Sequence, residues 1–157
     1  MTVKSNLISL YENEYKQWLV QRINFLKTNR FNELDKQHLI EELEELSRRE
    51  KKIVERFLEQ IIRHLLLLQY WIAEYEDNAN QRLAEIMNFR TQINKYLTKI
   101  LRNYLQENQA KVYEKLLKYV KQKTAYEIIF PENNSDTIEQ LLDMKWLPEK
   151  AKNYCPL

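Results

Sequence analysis

The sequence contains no glycine in 157 residues, where average usage would be about 7%. Glycine is the residue that most readily adopts positive φ and lets a backbone approach a ligand closely. Its absence argues against glycine-rich phosphate loops, a strained nucleophile turn and most tight hairpins. We therefore expect an all-α chain in which long helices are joined by short turns.

Length and composition indicate one domain of ordinary size. Apolar residues make up 44% of the chain, enough for one core, and no apolar run reaches the roughly 18 residues that span a membrane. The first residues lack the apolar stretch of a signal peptide. One cysteine cannot form an internal disulfide, which favours a reducing cytoplasm. We predict a single helical-bundle domain over residues 1–157, with a loosely held tail from about residue 149.

Apolar residues recur at helical spacing from the start of the chain. The first helix is predicted over Leu7–Thr28, followed by a turn at Asn29–Asn32 and by Asp35 as the N-cap of a second helix. On the first helix, the residues predicted to share an apolar face are Tyr11, Tyr15, Trp18, Leu19, Ile23 and Leu26. On the second, they are Leu39, Ile40, Leu43 and Leu46.

The spacing of Ser47 and Glu50 fits a capping box and predicts a break or bend there. The alternative is one continuous helix over Lys36–Glu76, which would be long for a helix without caps. The most hydrophobic segment follows, with two neighbouring apolar rows that predict a central position in the bundle. The first row contains Ile53, Phe57, Ile61, Leu65, Leu68 and Ile72, and the second contains Val54, Leu58 and Ile62.

The second half of the chain predicts two further long helices and a short one. A turn at Asp77–Asn80 precedes a fourth helix that extends from Leu83 to Tyr104, and a fifth follows over Asn108–Ala125. After a loop at residues 130–135, a capping-box-like start at Asp136–Glu139 opens a short helix to about Met144. The predicted fold is an all-α, compact bundle of four to five long helices with a short C-terminal helix.

Several short motifs occur in a fixed order from about Leu10 to Pro148. They are Tyr11, Tyr15 and Trp18, then Arg30-Phe31-x-x-Leu34-Asp35, His38-Leu39-Ile40-Glu41-Glu42-Leu43-Glu44-x-Leu46, His64-Leu65-Leu66-x-Leu68-Gln69-Tyr70, Arg90 with Ile93, and Phe130-Pro131 before Thr137-Ile138-Glu139-Gln140-Leu141-Leu142-Asp143. The ordered set resembles domain-of-unknown-function family 29, an uncharacterised family common in cyanobacteria. The resemblance implies an all-α domain and brings no established catalytic residue.

Polar residues on apolar helix faces are the first candidate site. His64 and Arg90 continue apolar rows, and Glu42 lies at the edge of one. Since a buried charge left alone costs several kcal/mol, we predict that Glu42, His64 and Arg90 meet as an inter-helix polar cluster. Such a cluster fixes helix register, or it grips an anionic or polar ligand in a pocket between helices.

A metal site is an alternative for partly the same residues. His38, Glu42 and Glu45 share one stripe of the second helix, and His64 would complete a set of bundle-core ligands. The Glu-x-x-His pattern of di-iron proteins is absent, and Asp35 is better used as a cap. Without a metal, His38 and Glu42 form an ordinary surface pair. We expect no cofactor.

Charge is distributed unevenly, although the net charge is only +2. Residues 78–127 contain ten basic and four acidic residues, which favours anionic partners or self-association. Interleaved tyrosines could stack on unpaired bases. The candidate nucleic-acid-binding residues are Lys95, Lys99, Arg102, Lys111, Lys115 and Lys118. Against this reading, the pI of about 8.5 falls below the value typical of committed nucleic-acid binders.

Tyrosine and tryptophan supply 13 of the 18 aromatic residues, and both are enriched in protein interfaces. Exposed members among Tyr70, Trp71, Trp146 and Tyr154 would report such a surface, unless they attach the C-terminal segment to the bundle. No catalytic residue is predicted, since Cys155 has no histidine near it in sequence. The leading interpretation is a non-enzymatic cytoplasmic helical module that acts by association with a protein partner or with itself, without membrane contact.

Overall fold

The computed structural model describes residues 3–71 and 75–152. Within these ranges the chain forms seven α-helices, one short 3-10 helix over Phe31–Glu33 and no strand, which confirms the predicted all-α fold. The helices are α1 (Val3–Asn13), α2 (Tyr15–Lys27), α3 (Lys36–Tyr70), α4 (Tyr75–Tyr96), α5 (Lys99–Lys123), α6 (Ile138–Leu142) and α7 (Glu149–Lys152). Ile72, Tyr154 and Cys155 lie outside the described residues.

The chain divides into two units, Met1–Arg49 and Glu50–Leu157. The first unit contains α1, α2, the 3-10 helix and the beginning of α3. Its small core consists of Leu7, Trp18, Phe25 and Leu34. Asp35 accepts a hydrogen bond from the backbone N–H of His38 at 3.4 Å, so the predicted N-cap of α3 is confirmed.

The second unit has a larger core, which is built from the remainder of α3 and from α4 to α7. Predicted rows of α3 supply much of it, because Val54, Leu58, Ile61, Ile62 and Leu65 are all buried. The other helices and one loop residue contribute Ile86, Ile93, Leu101, Leu105, Val112, Leu116, Val120, Phe130, Ile138 and Leu141, among others.

Positive φ occurs in this glycine-free chain at Asn29, Ala125 and Tyr126, with values of 57°, 52° and 59°. These residues directly follow α2 and α5. After α2, the Arg30 N–H donates to the Phe25 carbonyl, and after α5 the Tyr126 N–H donates to the Lys121 carbonyl, each at 2.8 Å. Asparagine tolerates this conformation, whereas a residue with an ordinary side chain costs roughly 1–2 kcal/mol. The chain therefore ends α5 without glycine at an energetic cost.

The predicted first helix is wrong as one continuous element. It divides into α1 and α2 at Glu14, whose φ of −140° and ψ of 77° are not helical. No proline or glycine causes the break. Tertiary contacts hold the two sides in place, because Tyr11 on α1 and Tyr15 on α2 both bind Glu42.

At Ser47 the predicted break is wrong and the alternative of a continuous helix is right through this position, whereas the predicted bend stays a prediction. α3 extends from Lys36 to Tyr70. A capping box requires a serine outside the helix, whereas Ser47 lies within it. The surrounding residues are strong helix formers, and Arg48 pairs with Glu45 at 2.9 Å along the same helix.

Three boundaries in the second half differ from the prediction. The predicted turn at Asp77–Asn80 lies inside α4. The helix predicted to reach Tyr104 ends at Tyr96, because the Thr98 hydroxyl accepts from the Leu101 N–H and starts α5 at Lys99 rather than at Asn108. A threonine side chain that bonds the backbone favours a cap over a helix interior.

The short helix near the C-terminus begins one residue later than predicted. Thr137 and Gln140 form the capping box that had been expected from Asp136 and Glu139. The segment predicted to be loosely held from about residue 149 begins with α7, in which Ala151 is fully buried.

Candidate functional site

α2 has two apolar faces, and only one of them is covered. Trp18 and Phe25 are buried together with Arg22. Leu19, Ile23 and Leu26 were predicted to share the apolar face with Trp18, yet they are 39%, 43% and 42% exposed. Their spacing of four and three residues places them on one stripe of the helix.

The beginning of α3 carries a second exposed apolar row. Ile40, Leu43 and Leu46 are 56%, 57% and 49% exposed, although the sequence predicted them as a buried face. Apolar side chains that are exposed singly are ordinary, whereas large exposed apolar patches are typical of interaction surfaces. We call Leu19, Ile23, Leu26, Ile40, Leu43 and Leu46 the apolar face.

A groove of about 280 Å³ is lined by three residues of the apolar face, Leu19, Leu43 and Leu46, among others. Leu19 lines it from α2, while Leu39, Leu43 and Leu46 line it from α3. Trp18, Glu42 and Arg49 complete the lining together with Tyr15. An apolar groove with a few polar groups at its edge suits the side chains of an amphipathic helix.

Glu42 fixes the polar edge of this groove. Its two carboxylate oxygens accept from the Tyr11 hydroxyl at 3.0 Å and from the Tyr15 hydroxyl at 2.6 Å. These hydrogen bonds to a carboxylate raise the pKa of both tyrosines, with burial adding to the effect. The two hydrogen bonds connect α1 and α2 to α3 within the first unit.

Asp35 organises the buried side of the same unit. Its carboxylate accepts from the Trp18 indole N–H at 3.3 Å and contacts the His38 Nδ1 at 2.6 Å. Burial acts to raise the pKa of Asp35, but the hydrogen bonds from His38 and Trp18 outweigh it and lower the pKa below its ordinary value. Tyr11 stacks on the His38 ring at 3.9 Å.

Arg22 is a buried cation that the sequence analysis missed. Its Nη1 donates to the Asp35 carbonyl at 2.7 Å, and its guanidinium lies over the Trp18 ring at 4.4 Å. The Nε and Nη2 atoms are buried without a hydrogen-bond partner. Burial lowers the pKa of Arg22, and the charge of Asp35 opposes that shift. The sequence signal for this residue is its position on the helix, since the helical period places Arg22 on the same face of α2 as Trp18 and Phe25.

The predicted cluster of Glu42, His64 and Arg90 stays a prediction. Glu42 belongs to the first unit, whereas His64 and Arg90 belong to the second. Arg90 donates to the carbonyls of Leu141 and Trp146 at 2.8 Å each and to that of Gln140 at 3.4 Å. The guanidinium thereby caps the end of α6, and burial lowers its pKa to about 10.

His64 lines an open cleft of about 440 Å³ in the second unit with Arg82, Phe89 and Lys123. Its ring stacks on Phe89 at 5.8 Å, and its Nδ1 is buried without a partner. Burial lowers the pKa of His64 to about 4, and the charges of Arg82, Arg63 and Lys123 add to the effect. The ring is therefore neutral at physiological pH.

The candidate metal ligands have other partners. His38 contacts Asp35, Glu42 accepts from two tyrosines, and Glu45 binds Arg48. Across residues 3–71 and 75–152, no group of three or more histidine, cysteine, aspartate or glutamate side chains could hold a metal ion.

The candidate nucleic-acid-binding residues lie in different directions. Lys95 is on α4, whereas the others are on α5. On that helix, the stripe of Lys111, Lys115 and Lys118 lies roughly 150° around the axis from Lys99 and Arg102 at 3.6 residues per turn. Lys115 also pairs with Glu59 at 3.5 Å. The role of these residues stays a prediction.

The aromatic residues near the second unit's C-terminal segment pack inward. Tyr70, Trp71 and Trp146 are partly buried against the core. Tyr70 lies edge-on to Phe130 and beneath the Lys150 ammonium at 4.4 Å. These contacts fit the interpretation that the aromatic residues attach the C-terminal segment. The exposed apolar rows on α2 and α3 lie instead in the first unit.

No helix among the described residues is long and apolar enough to cross a membrane. The family model of the domain of unknown function DUF29 matches residues 10–147, which is most of the chain. The chain belongs to this family. A comparison with curated proteins found no match, and neither did a comparison with solved structures.

Proposed function

We propose that this DUF29 chain is a helical module that acts by protein association through the apolar face of its first unit. The observation that carries the proposal is the two exposed apolar rows on α2 and α3, of which Leu43 is the most exposed large member at 57%. A partner that removes apolar area of this kind from water stabilises the complex by about 25 cal/mol per Å² of buried area.

The groove makes part of this surface concave. A flat apolar patch gives little specificity, whereas the groove beside Leu39, Leu43 and Leu46 accepts side chains that project from a partner helix. The Tyr15–Glu42 hydrogen bond provides a polar rim, which resembles the arrangement of an apolar centre and polar edge in protein interfaces. We place the module in the cytoplasm because its sequence contains one cysteine.

Site-specific photo-crosslinking in cells tests this proposal. A photoreactive amino acid at Leu43 is expected to give an adduct of defined mass, identified by peptide mass spectrometry. The matched control is Gln17, which is exposed on α2 but points roughly opposite to the apolar stripe of that helix. The Leu43→Glu change, made alongside a crosslinker at Leu46, should remove the adduct.

Absence of an adduct at Leu43, Leu46 and Ile23 would reject protein association through this face. Equal adducts at Gln17 and Leu43 would do the same, because they would indicate non-specific contact. Loss of folding does not explain a negative result with Leu43→Glu, since substitution of an exposed side chain usually changes stability by no more than about 0.5 kcal/mol. Circular dichroism checks this point.

A further inference from the structure

Three helices of the second unit line the open cleft described above, which we call the His64 cleft. α3 contributes His64, and the end of α5 contributes Lys123. The lining residues that share one stripe of α4, at a spacing of four, three and four residues, are Asn78, Arg82, Glu85 and Phe89. All of them belong to the second unit, so the cleft is a feature of one folded body.

Positive charges from all three helices act on this cleft. The charges of Arg82, Arg63 and Lys123 each lower the pKa of His64, and these residues lie on α4, α3 and α5 respectively. Arg63 pairs with Glu59 at 3.0 Å, and the cations that line the cleft itself are Arg82 and Lys123. Two cations on separate helices at one concave site raise the local concentration of small anions.

The His64 ring adds a hydrogen-bond donor to the same cleft. Its Nδ1 is buried and has no partner. A neutral imidazole carries its proton on one nitrogen only, and a buried N–H without an acceptor is disfavoured more strongly than an unpaired acceptor. The proton therefore lies on Nε2, which is the nitrogen that a ligand in the cleft can reach.

We propose that the His64 cleft binds a small phosphate monoester, whose phosphate contacts Arg82, Lys123 and the His64 Nε2–H. Phosphate presents three strong acceptor oxygens, which suits donors from three helices, whereas a carboxylate has two oxygens. The organic part of the ligand lies against Phe89, whose ring stacks on His64 at 5.8 Å.

The size of the cleft agrees with a ligand of this kind. Its volume of about 440 Å³ falls within the range of small-molecule sites and leaves room for an organic group beside the phosphate. The inference does not depend on protein association through the apolar face, because that face belongs to the first unit. Either proposal can fail without the other.

Isothermal titration calorimetry of the full chain with phenyl phosphate, at pH 7 and constant ionic strength, tests this site. Lys123→Gln should weaken binding about tenfold, because a charge-assisted contact to the phosphate is lost. Lys123 is exposed, so its substitution leaves the fold intact. The matched control is Lys118→Gln, which removes an exposed lysine of the same helix that points about 140° away from Lys123. It should bind like the unmodified chain.

Two further variants examine the other side chains of the cleft. His64→Phe keeps an aromatic ring against Phe89 and removes the Nε2 donor, so it should bind phenyl phosphate about fivefold more weakly. Glu85→Gln removes a negative charge from the lining and should tighten binding about threefold. Inorganic phosphate should bind the unmodified chain more weakly than phenyl phosphate does, since it lacks the ring that contacts Phe89.

Several results would overturn the site. One is the lack of saturable binding up to about 10 mM phenyl phosphate, tenfold above a Kd of about 1 mM. Another is equal weakening in Lys123→Gln and Lys118→Gln, which would indicate a general effect of net charge. Tighter binding of benzoate than of phenyl phosphate would overturn the assignment to phosphate. If His64→Phe loses its circular dichroism signal, Lys123→Gln and its control decide the matter.

Discussion

Arg22 in the first unit and Arg90 in the second are each 1% exposed, yet their surroundings differ. Arg90 uses its Nε, Nη1 and Nη2 atoms on three carbonyl oxygens. Arg22 uses Nη1 alone, and its other two nitrogens have no partner. Because an unpaired buried donor costs about 1–3 kcal/mol, the same residue type stabilises one unit and adds little to the other.

The apolar side chains show the same contrast. In the second unit, the exposed large apolar residues are dispersed over α4, α5 and the segments that follow α5 and α6, where single exposure is ordinary; they are Met87, Tyr96, Ile100, Tyr119, Tyr126, Ile129 and Met144. In the first unit they form two rows on adjacent helices. The second unit therefore exposes its apolar side chains singly, whereas the first exposes them in rows.

The largest effect is expected from Arg90→Met. The change leaves the carbonyls of Leu141, Trp146 and Gln140 without their donor inside the second unit, at a cost of about 3–5 kcal/mol. Hydrogen exchange read by mass spectrometry should show lost protection at residues 138–147. Arg56→Met, at an exposed position of α3, is the control. Equal protection in Arg90→Met and Arg56→Met would contradict the role of Arg90 in holding α6.

A pH effect of intermediate size is expected from His64. Its pKa is lowered to about 4 in the folded chain from an ordinary 6.5, so the unfolded chain binds the extra proton first as pH falls. The contribution of neutral His64 to the free energy of unfolding is fully present above about pH 6.5. The free energy of unfolding then falls by up to about 3 kcal/mol as pH approaches 4. Urea unfolding between these pH values measures the slope.

His64→Phe supplies the control for that slope. Phenylalanine keeps the stacking on Phe89 and loses no hydrogen bond, since the His64 Nδ1 has none. The variant should match the unmodified chain at pH 7 and remain more stable than it at pH 4.5. If the two curves stay parallel, protonation of His64 is not the source of acid sensitivity.

The smallest effect is expected from Arg22→Met. The change removes the hydrogen bond to the Asp35 carbonyl and the contact with Trp18, but it also removes two unpaired buried donors and a buried charge. The Asp35 carbonyl keeps its hydrogen bond from the Leu39 N–H at 3.1 Å, and each unpaired buried donor that is removed had cost about 1–3 kcal/mol, so we expect a change within about 1 kcal/mol. Hydrogen exchange over residues 15–49 measures it. A loss of protection as large as that in Arg90→Met would contradict the proposed difference between the two arginines.

Much of the architecture could be predicted from the sequence because helix formation depends on local information. Spacing identified the buried rows of α3 around Ile61 and Leu65, and Asp35 was correctly assigned as a cap. Breaks were harder to predict. Glu14 interrupts a good helix because tyrosines on both sides bind Glu42, and that contact spans 27 or more positions in sequence.

The candidate site was only half predictable. The sequence itself determined that Leu19, Ile23, Leu39 and Leu43 lie on apolar stripes, since the 3.6-residue period places side chains on faces without reference to the rest of the chain. Which stripe is covered was decided only by the tertiary structure. Trp18 and Phe25 are buried because α1, the 3-10 helix and Asp35 pack on their side of α2, and no local pattern specifies which distant element occupies a face.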